Sequence, residues 1–250
     1  MFDQFCNVNL VIDRGNTQVK IGIFDQCKLI HSDYLDFLDK SFIEQIGKMY
    51  TIDKIIISSV VFERHDELIS NLSVLSHSIL ELSYQTKLPF EWAYQSKSTI
   101  GKDRLAAVAG AISLYPQSFL LVIDAGTAIT YEIINNNEFL GGNISPGLEM
   151  RFKALNTFTS KLPLLNKTDE HQLIGNSTNT AIQAGVQNGI IFEIDGLINE
   201  LKEEQKHLKT IITGGDAEFF ARKLKNPIFV HPNLVLIGLN RILENNAQYI

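Results

Sequence analysis

One segment of this chain occurs twice with small changes. Leu10 to Phe24 reads LVIDRGNTQVKIGIF, and Leu121 to Ile134 reads LVIDAGTAITYEII. Each copy runs from an apolar stretch into Asp-x-Gly, and the two aspartates, Asp13 and Asp124, stand 111 residues apart, about the size of a small domain. Two copies are too few for a solenoid, which needs several stacked neighbours to bury its faces, so two similar lobes are expected instead. Within a copy, the β-prone run Asn9–Ile12, the turn signal Gly15-Asn16 and the alternating run Val19–Phe24 predict strand, tight turn, strand. That pattern is a hairpin rather than a crossover unit. The lobes are expected at residues 1–115 and 116–250, each carrying one of the two loops.

The remaining periodicity is mixed α/β. Apolar strands are predicted at Lys54–Val60 and Lys209–Thr213, and a long helix between Thr178 and Lys206. Asp103–Leu114 has helical spacing and is stopped by Pro116. The uncharged stretch Leu105–Ile123 has the length of a membrane span. Tyr115-Pro116-Gln117-Ser118 divides it into a helix and a strand, so no membrane association is expected.

With 22 basic and 28 acidic residues the net charge is −6, and neither sign forms a block. A nucleic-acid-binding arm is thereby excluded and a small-molecule partner favoured. The two cysteines, Cys6 and Cys27, lack the CxxC or Cys/His company that zinc requires. The opening MFDQFCNVNL carries Asp3 and no basic patch before an apolar run, which makes a poor secretory signal. A cytoplasmic location follows as the expectation.

The first loop, Asp13-Arg14-Gly15-Asn16-Thr17-Gln18-Val19-Lys20, has the parts a polyphosphate needs. Gly15 lets backbone N–H groups approach phosphate oxygens, Asn16 and Thr17 can donate to them, Lys20 adds a point charge, and Asp13 can hold hydrated magnesium. A polar hairpin turn has the same composition. The second loop, Asp124-Ala125-Gly126-Thr127-Ala128, repeats the carboxylate, glycine and hydroxyl, and a pair of such loops can grip one nucleotide. A third element, Ile212-Thr213-Gly214-Gly215-Asp216, runs from a strand into a helix predicted at Glu218–Leu224. Its glycines suit either adenosine or a tight strand-to-helix connection. No GxxxxGK[ST], HRD or DFG motif occurs, so P-loop and protein-kinase architectures are excluded.

Gly101-Lys102-Asp103-Arg104 opens the helix before Pro116. There Asp103 can accept the proton of an attacking hydroxyl or serve as a cap, and Arg104 can bind a carboxylate or stand exposed in the first turn. The Gly141–Gly147 run GGNISPG is expected to form an irregular turn after a strand ending at Leu140. His65-Asp66-Glu67 lacks metal-ligand spacing, and Gly185 and Gly189 on the long helix suit close helix packing.

Taken together, Asp13-x-Gly15-Asn16-Thr17 with Lys20, Gly101-Lys102-Asp103-Arg104, Asp124-x-Gly126-Thr127, the GGNISPG run, Gly175 with Thr178 and Gly185, and Gly214-Gly215 resemble the type III pantothenate kinases. The resemblance covers most of the chain. It implies two ribonuclease-H-like, actin-like ATPase lobes with an ATP cleft between them, and transfer of phosphate from ATP to pantothenate at the start of coenzyme A synthesis. It implies Asp103 as the catalytic residue; Asp13, Gly15, Asn16, Thr17, Lys20, Thr127, Gly214 and Gly215 at ATP and Mg²⁺; and Gly101, Lys102 and Arg104 at pantothenate. Two further pantothenate contacts, Tyr94 and Thr178, rest on the resemblance alone, as do a monovalent cation (K⁺ or NH₄⁺) at Asp124 and a homodimer. Arg14 and Lys102 fill variable places of the family pattern. A nucleotide-binding regulator and a phosphohydrolase on the same fold are the rival readings, and retention of Gly101-Lys102-Asp103-Arg104 together with Tyr94 disfavours both.

Overall fold

The computed structural model describes residues 7–15, 18–59, 65–92, 94–170 and 172–250. The chain forms two compact units, residues 1–115 with 233–250, and residues 116–232. Asn16, Thr17, Val60 and Cys6 lie outside the described residues.

The first unit opens with β1 (Asn7–Arg14), β2 (Val19–Asp25) and β3 (Lys28–Leu35), followed by α1 (Lys40–Met49), β4 (Thr51–Ser59), α2 (His65–Leu72), β5 (Ser78–Glu81), a two-residue β6 (Glu91–Trp92) and α3 (Lys102–Leu114). Its sheet has the order β3-β2-β1-β4-β5, with β1 antiparallel to β2 and parallel to β4. The central position of β1 explains why Val8–Ile12 are all buried, since both faces of the strand are covered; its one polar member, Asn9, is hydrogen-bonded. Val8, Leu10 and Ile12 on one face pack with Ile43 and Ile46 of α1 and Leu68 and Leu72 of α2.

The second unit repeats this arrangement. It contains β7 (Phe119–Ala125), β8 (Ala128–Asn135), β9 (Glu138–Pro146), α4 (Leu148–Thr157), α5 (Thr178–Glu204), β10 (Lys209–Thr213), α6 (Ala217–Ala221) and β11 (Phe229–Val230). Within it the strands run β11-β10-β7-β8-β9, with β7 antiparallel to β8 and parallel to β10. Each aspartate loop therefore follows the central strand of its own sheet. The long helix α5 starts at a reciprocal cap: Ser177 Oγ accepts from Thr180 N–H, and Thr180 Oγ1 accepts from Ser177 N–H at 2.9 Å. Capping thus falls to Ser177, and Thr178 is the first helical residue.

The last helix, α7 (Leu234–Asn246), returns to the first unit. The expected assignment of residues 116–250 to one lobe differs here, because α7 packs on α3 through glycines on both helices. A Cβ on Gly238 would stand 1.7 Å from Ala106 O, and one on Gly110 would stand 2.4 Å from Leu234 O. Asn9, buried on β1, fixes the opposite side of α7 by donating to Asn240 Oδ1 at 2.9 Å and Glu244 Oε1 at 2.6 Å. No periodicity in α7 announces which sheet its apolar face will cover.

The GGNISPG run differs more sharply from expectation. It is strand, not turn: β9 continues to Pro146, paired with β8 through Tyr131↔Asn143 and Ile129↔Ser145. Its glycines serve the pairing. Gly141 has φ +130°, the register shifts between Ile133 and Ile134, and a Cβ on Gly142 would lie 1.6 Å from Tyr131 O. These are the marks of a β-bulge, which uses glycine where backbones close up. The stretch Leu105–Ile123 divides as expected between α3 and β7, and among the described residues no helix is long and apolar enough to cross a membrane.

Candidate active site

In the first unit, Asp13 is the next-to-last residue of β1 and pairs in register with Lys20 on β2 and Ser58 on β4. Burial pushes the Asp13 carboxyl up to about 6, and the carboxylate of Asp103 adds to the rise. The Ser58 hydroxyl and the Lys20 ammonium pull in the other direction. The loop closes where Gly15 N–H donates to Gln18 O at 3.0 Å. Lys20 Nζ lies 4.7 Å from the centre of the Tyr34 ring. Asn16 and Thr17 lie outside the described residues.

Helix α3 begins beside this loop. Its cap residue is Gly101 and Asp103 is its second residue, so Asp103 is not the cap. The Asp103 carboxylate folds back, accepting from Arg104 N–H at 2.9 Å, and a Cβ on Gly101 would stand 2.3 Å from Asp103 Oδ1. Glycine at 101 therefore leaves room for that carboxylate, which remains exposed. Lys102 anchors the turn from the other side, donating through Nζ to Ser59 O at the end of β4 at 3.0 Å. Arg104 is buried at 5% exposure, not an exposed cation. Its Nη1 donates to Tyr94 Oη at 3.4 Å and its guanidinium lies 5.5 Å from the centre of the Tyr94 ring. The structure thus gathers Asp13, Gly15, Lys20, Tyr94, Gly101, Lys102, Asp103 and Arg104 within the first unit.

In the second unit, Asp124 occupies the place of Asp13, at the end of the central strand and paired in register with Thr213. Three glycines close around its loop. A Cβ on Gly214, whose φ is +94°, would stand 2.4 Å from Asp124 Oδ1, and one on Gly126 would stand 3.5 Å from it. A Cβ on Gly147 would meet Gly126 O at 2.2 Å, and Gly147 N–H donates to Thr127 O at 3.1 Å. Gly215 and Thr127 are exposed. Asp216 N–H donates to Ala125 O at 2.9 Å, and the Asp216 carboxylate forms an ion pair with Lys167. Gly214 is therefore built against the second aspartate loop, which gives it a structural task beyond a connection, whereas a Cβ on Gly215 would meet nothing within 4 Å. Thr178 is exposed at the start of α5; a Cβ on nearby Gly175 would stand 2.2 Å from Ala181 N.

Sequence reasoning missed Ser58, which no motif includes and which only the β1–β4 register brings to Asp13. It also missed a polar cluster on Glu193 of α5. Glu193 Oε1 accepts from Tyr131 Oη at 2.7 Å and Ser145 Oγ at 2.5 Å, and Oε2 accepts from Arg151 Nη2 at 2.6 Å. Burial alone would raise Glu193, but the bonds from Arg151, Ser145 and Tyr131 hold it below the usual glutamate range. Burial and Glu193 together push the Tyr131 phenol upward. The four residues are scattered over four elements, so only the fold could assemble them.

Among the described residues no group of three or more His, Cys, Asp or Glu side chains comes together to hold a metal. Asp13 with Asp103 nevertheless forms a like-charged pair whose repulsion a cation would relieve. Two carboxylates suit magnesium shared with phosphates better than an all-protein cage.

Among solved structures, the chain is similar to one described as a conserved putative Baf family transcriptional activator from Campylobacter jejuni, with a TM-score of 0.63 and 24% identity over 96% of this chain and 99% of that one. It is also similar to the ethanolamine utilization protein EutJ from Carboxydothermus hydrogenoformans, with a TM-score of 0.51 and 12% identity over 94% and 88%. At such identities these likenesses show the fold alone, the actin-like ATPase fold, which agrees with the two repeated sheets. In sequence, the chain is 43% identical over 244 residues to a type III pantothenate kinase of Christiangramia forsetii, covering 96% of this chain and 99% of that one. It is 41% identical over 240 residues to one of Bacteroides fragilis, covering 96% and 98%. The sequence profile of the type III pantothenate kinases matches residues 9–200. With the loop glycines, the α3 turn and these identities in agreement, the chain belongs to the type III pantothenate kinase family, enzymes of the first step of coenzyme A biosynthesis.

Proposed function

We propose that in this kinase Asp103 orients the terminal hydroxyl of pantothenate for attack on the γ-phosphorus of ATP and accepts its proton as the new P–O bond forms and ADP leaves. The observation that carries this reading is the exposed Asp103 carboxylate on the first turn of α3, close enough to Asp13 to raise its pKa. An acceptor group thereby stands beside the first phosphate loop. Asp13, Gly15, Asn16, Thr17 and Lys20 serve ATP from that loop, Thr127 from the second, and Gly214 and Gly215 serve its adenosine. Magnesium would sit at Asp13 and neutralise phosphate charge. A monovalent cation, K⁺ or NH₄⁺, would sit at Asp124, against which Gly126 and Gly214 bring no side chain of their own.

For pantothenate, Arg104 and Tyr94 form one paired wall, Gly101 and Lys102 shape the turn, and Thr178 adds a hydroxyl. Burial of the Arg104 guanidinium strengthens any bond it makes to the pantothenate carboxylate, because little water competes there. A cytoplasmic homodimer is part of the same reading. Its support is α5, where Phe192 is 55% exposed and a Cβ on Gly185 or Gly196 would meet nothing within 4 Å. The testing assay is ADP release with and without pantothenate, in potassium and in sodium buffer. Turnover should require pantothenate and rise with potassium; equal ATP consumption without pantothenate would mean hydrolysis. Asp103→Asn should abolish turnover and leave nucleotide binding intact, and unchanged turnover would remove Asp103 from the mechanism.

A further inference from the structure

Apart from Ser145 of the GGNISPG run, the cluster on Glu193 lies outside the sequence motifs, yet it leads directly to the second aspartate loop. Glu193 projects from the middle of α5 and holds the C-terminal end of β9 by two arms. One is direct, from Ser145 Oγ to Oε1 at 2.5 Å. The other passes through Arg151 of α4, whose Nη2 reaches Oε2 at 2.6 Å while its Nε donates to Pro146 O at 2.8 Å. Tyr131 of β8, 1% exposed, completes the clamp with its 2.7 Å bond to Oε1. Ser145 and Pro146 are the residues that pair with Ile129 and Ala128, where β8 leaves the loop. The next residue, Gly147, is pressed against the loop itself, with its N–H on Thr127 O and no space for a Cβ beside Gly126 O.

This chain of contacts transmits position. A carboxylate with three charge-assisted or hydroxyl partners is held in one rotamer, and the end of β9 cannot move without shifting the Thr127 carbonyl. We propose that Glu193 is a positioning residue for the second aspartate-glycine loop, setting the place of Gly126 and Thr127 through Ser145, Arg151 and Gly147. The inference rests on the reading of that loop as a phosphate site. Because the brace ends at Thr127, its loss acts on the nucleotide and leaves pantothenate affinity alone.

The test compares Glu193→Ala, Glu193→Gln, Ser145→Ala and Thr127→Ala by separate KM values for ATP and pantothenate, kcat and thermal melting. Glu193→Ala should raise the KM for ATP about tenfold, in the range typical of lost outer-shell support, with the KM for pantothenate within about twofold and melting little changed. Glu193→Gln keeps the oxygen acceptor for Tyr131 and Ser145 but sets an amide donor against Arg151, and should recover part of the loss. Ser145→Ala removes one arm and the 3.3 Å bond that Arg151 Nη2 gives Ser145 Oγ but leaves the Arg151–Glu193 ion pair, and about a threefold rise in the ATP KM is expected of it even if the alanine at 193 prevents folding. An ATP KM unchanged in Glu193→Ala and Ser145→Ala, while Thr127→Ala raises it, overturns the brace and leaves the loop's role standing. No effect of Thr127→Ala overturns the phosphate reading itself. Parallel rises in both KM values together with lowered melting would reduce Glu193 to a fold-stabilising residue and overturn the proposal.

Discussion

Replacing Asp13 by asparagine should make the protein more stable and less able to work, and the gain should depend on pH. Burial and the neighbouring Asp103 carboxylate raise Asp13 from 3.8 to about 6 in the folded chain. As pH rises from about 4 to about 6, the unfolded chain gives up this proton before the folded one does. The unfolded state then binds fewer protons, so stability falls with pH over that window and the penalty is complete above it. A shift of this size corresponds to at most about 3 kcal/mol at 1.36 kcal/mol per unit. Asp13 is only half-buried, and water screens the penalty to about 1–2 kcal/mol. Asparagine keeps an acceptor for Ser58 and carries no charge. Urea unfolding in metal-free buffer should therefore show Asp13→Asn more stable than wild type near pH 8, with about 1 kcal/mol of the gain lost near pH 5. Equal or lower stability near pH 8, or the same gain at both pH values, would refute the argument. A stability gain with lost activity is the usual mark of a residue kept for function against its own burial cost.

Three further outcomes follow from the same geometry. Magnesium should raise the melting temperature of wild type more above pH 6 than below it, because protonated Asp13 binds no cation, and this difference should vanish in Asp13→Asn. Gly238→Ala would put a methyl 1.7 Å from Ala106 O, so α3 and α7 must separate. A strain of about 3 kcal/mol, offset by about 1 kcal/mol of helix propensity, leaves a net loss near 2 kcal/mol, read as a fall of about 4–8 °C in melting temperature. Gly214→Ala meets both a φ of +94° and Asp124 Oδ1 at 2.4 Å, and calorimetry should find ATP binding weakened about tenfold or more.

Much of this protein was legible in its residues because the informative patterns are local. The repeated apolar run into Asp-x-Gly specified two hairpins, and β1–β2 and β7–β8 are antiparallel as that pattern requires. Pro116 and its neighbours separated α3 from β7. The motif residues of the first unit, from Asp13 to Arg104, were all named from sequence, and the resemblance they carry led to the family that the comparisons show. The GGNISPG run misled for a local reason too: glycine and proline signal a turn, but a glycine bulge inside a strand has the same composition.

Other features depended on contacts between residues far apart in the chain, which no window of sequence contains. That α7 belongs with the first unit is decided by the fit of Gly238 to Ala106 and of Asn9 to Asn240. The raised pKa of Asp13 exists only because α3 brings Asp103 to the end of β1. The Glu193 clamp joins β8, β9, α4 and α5. The sequence by itself determined the two aspartate loops, since a turn and the side chains it carries are contiguous. Only the tertiary structure decided how those loops are charged and braced, because electrostatic coupling and rigidity come from neighbours in space.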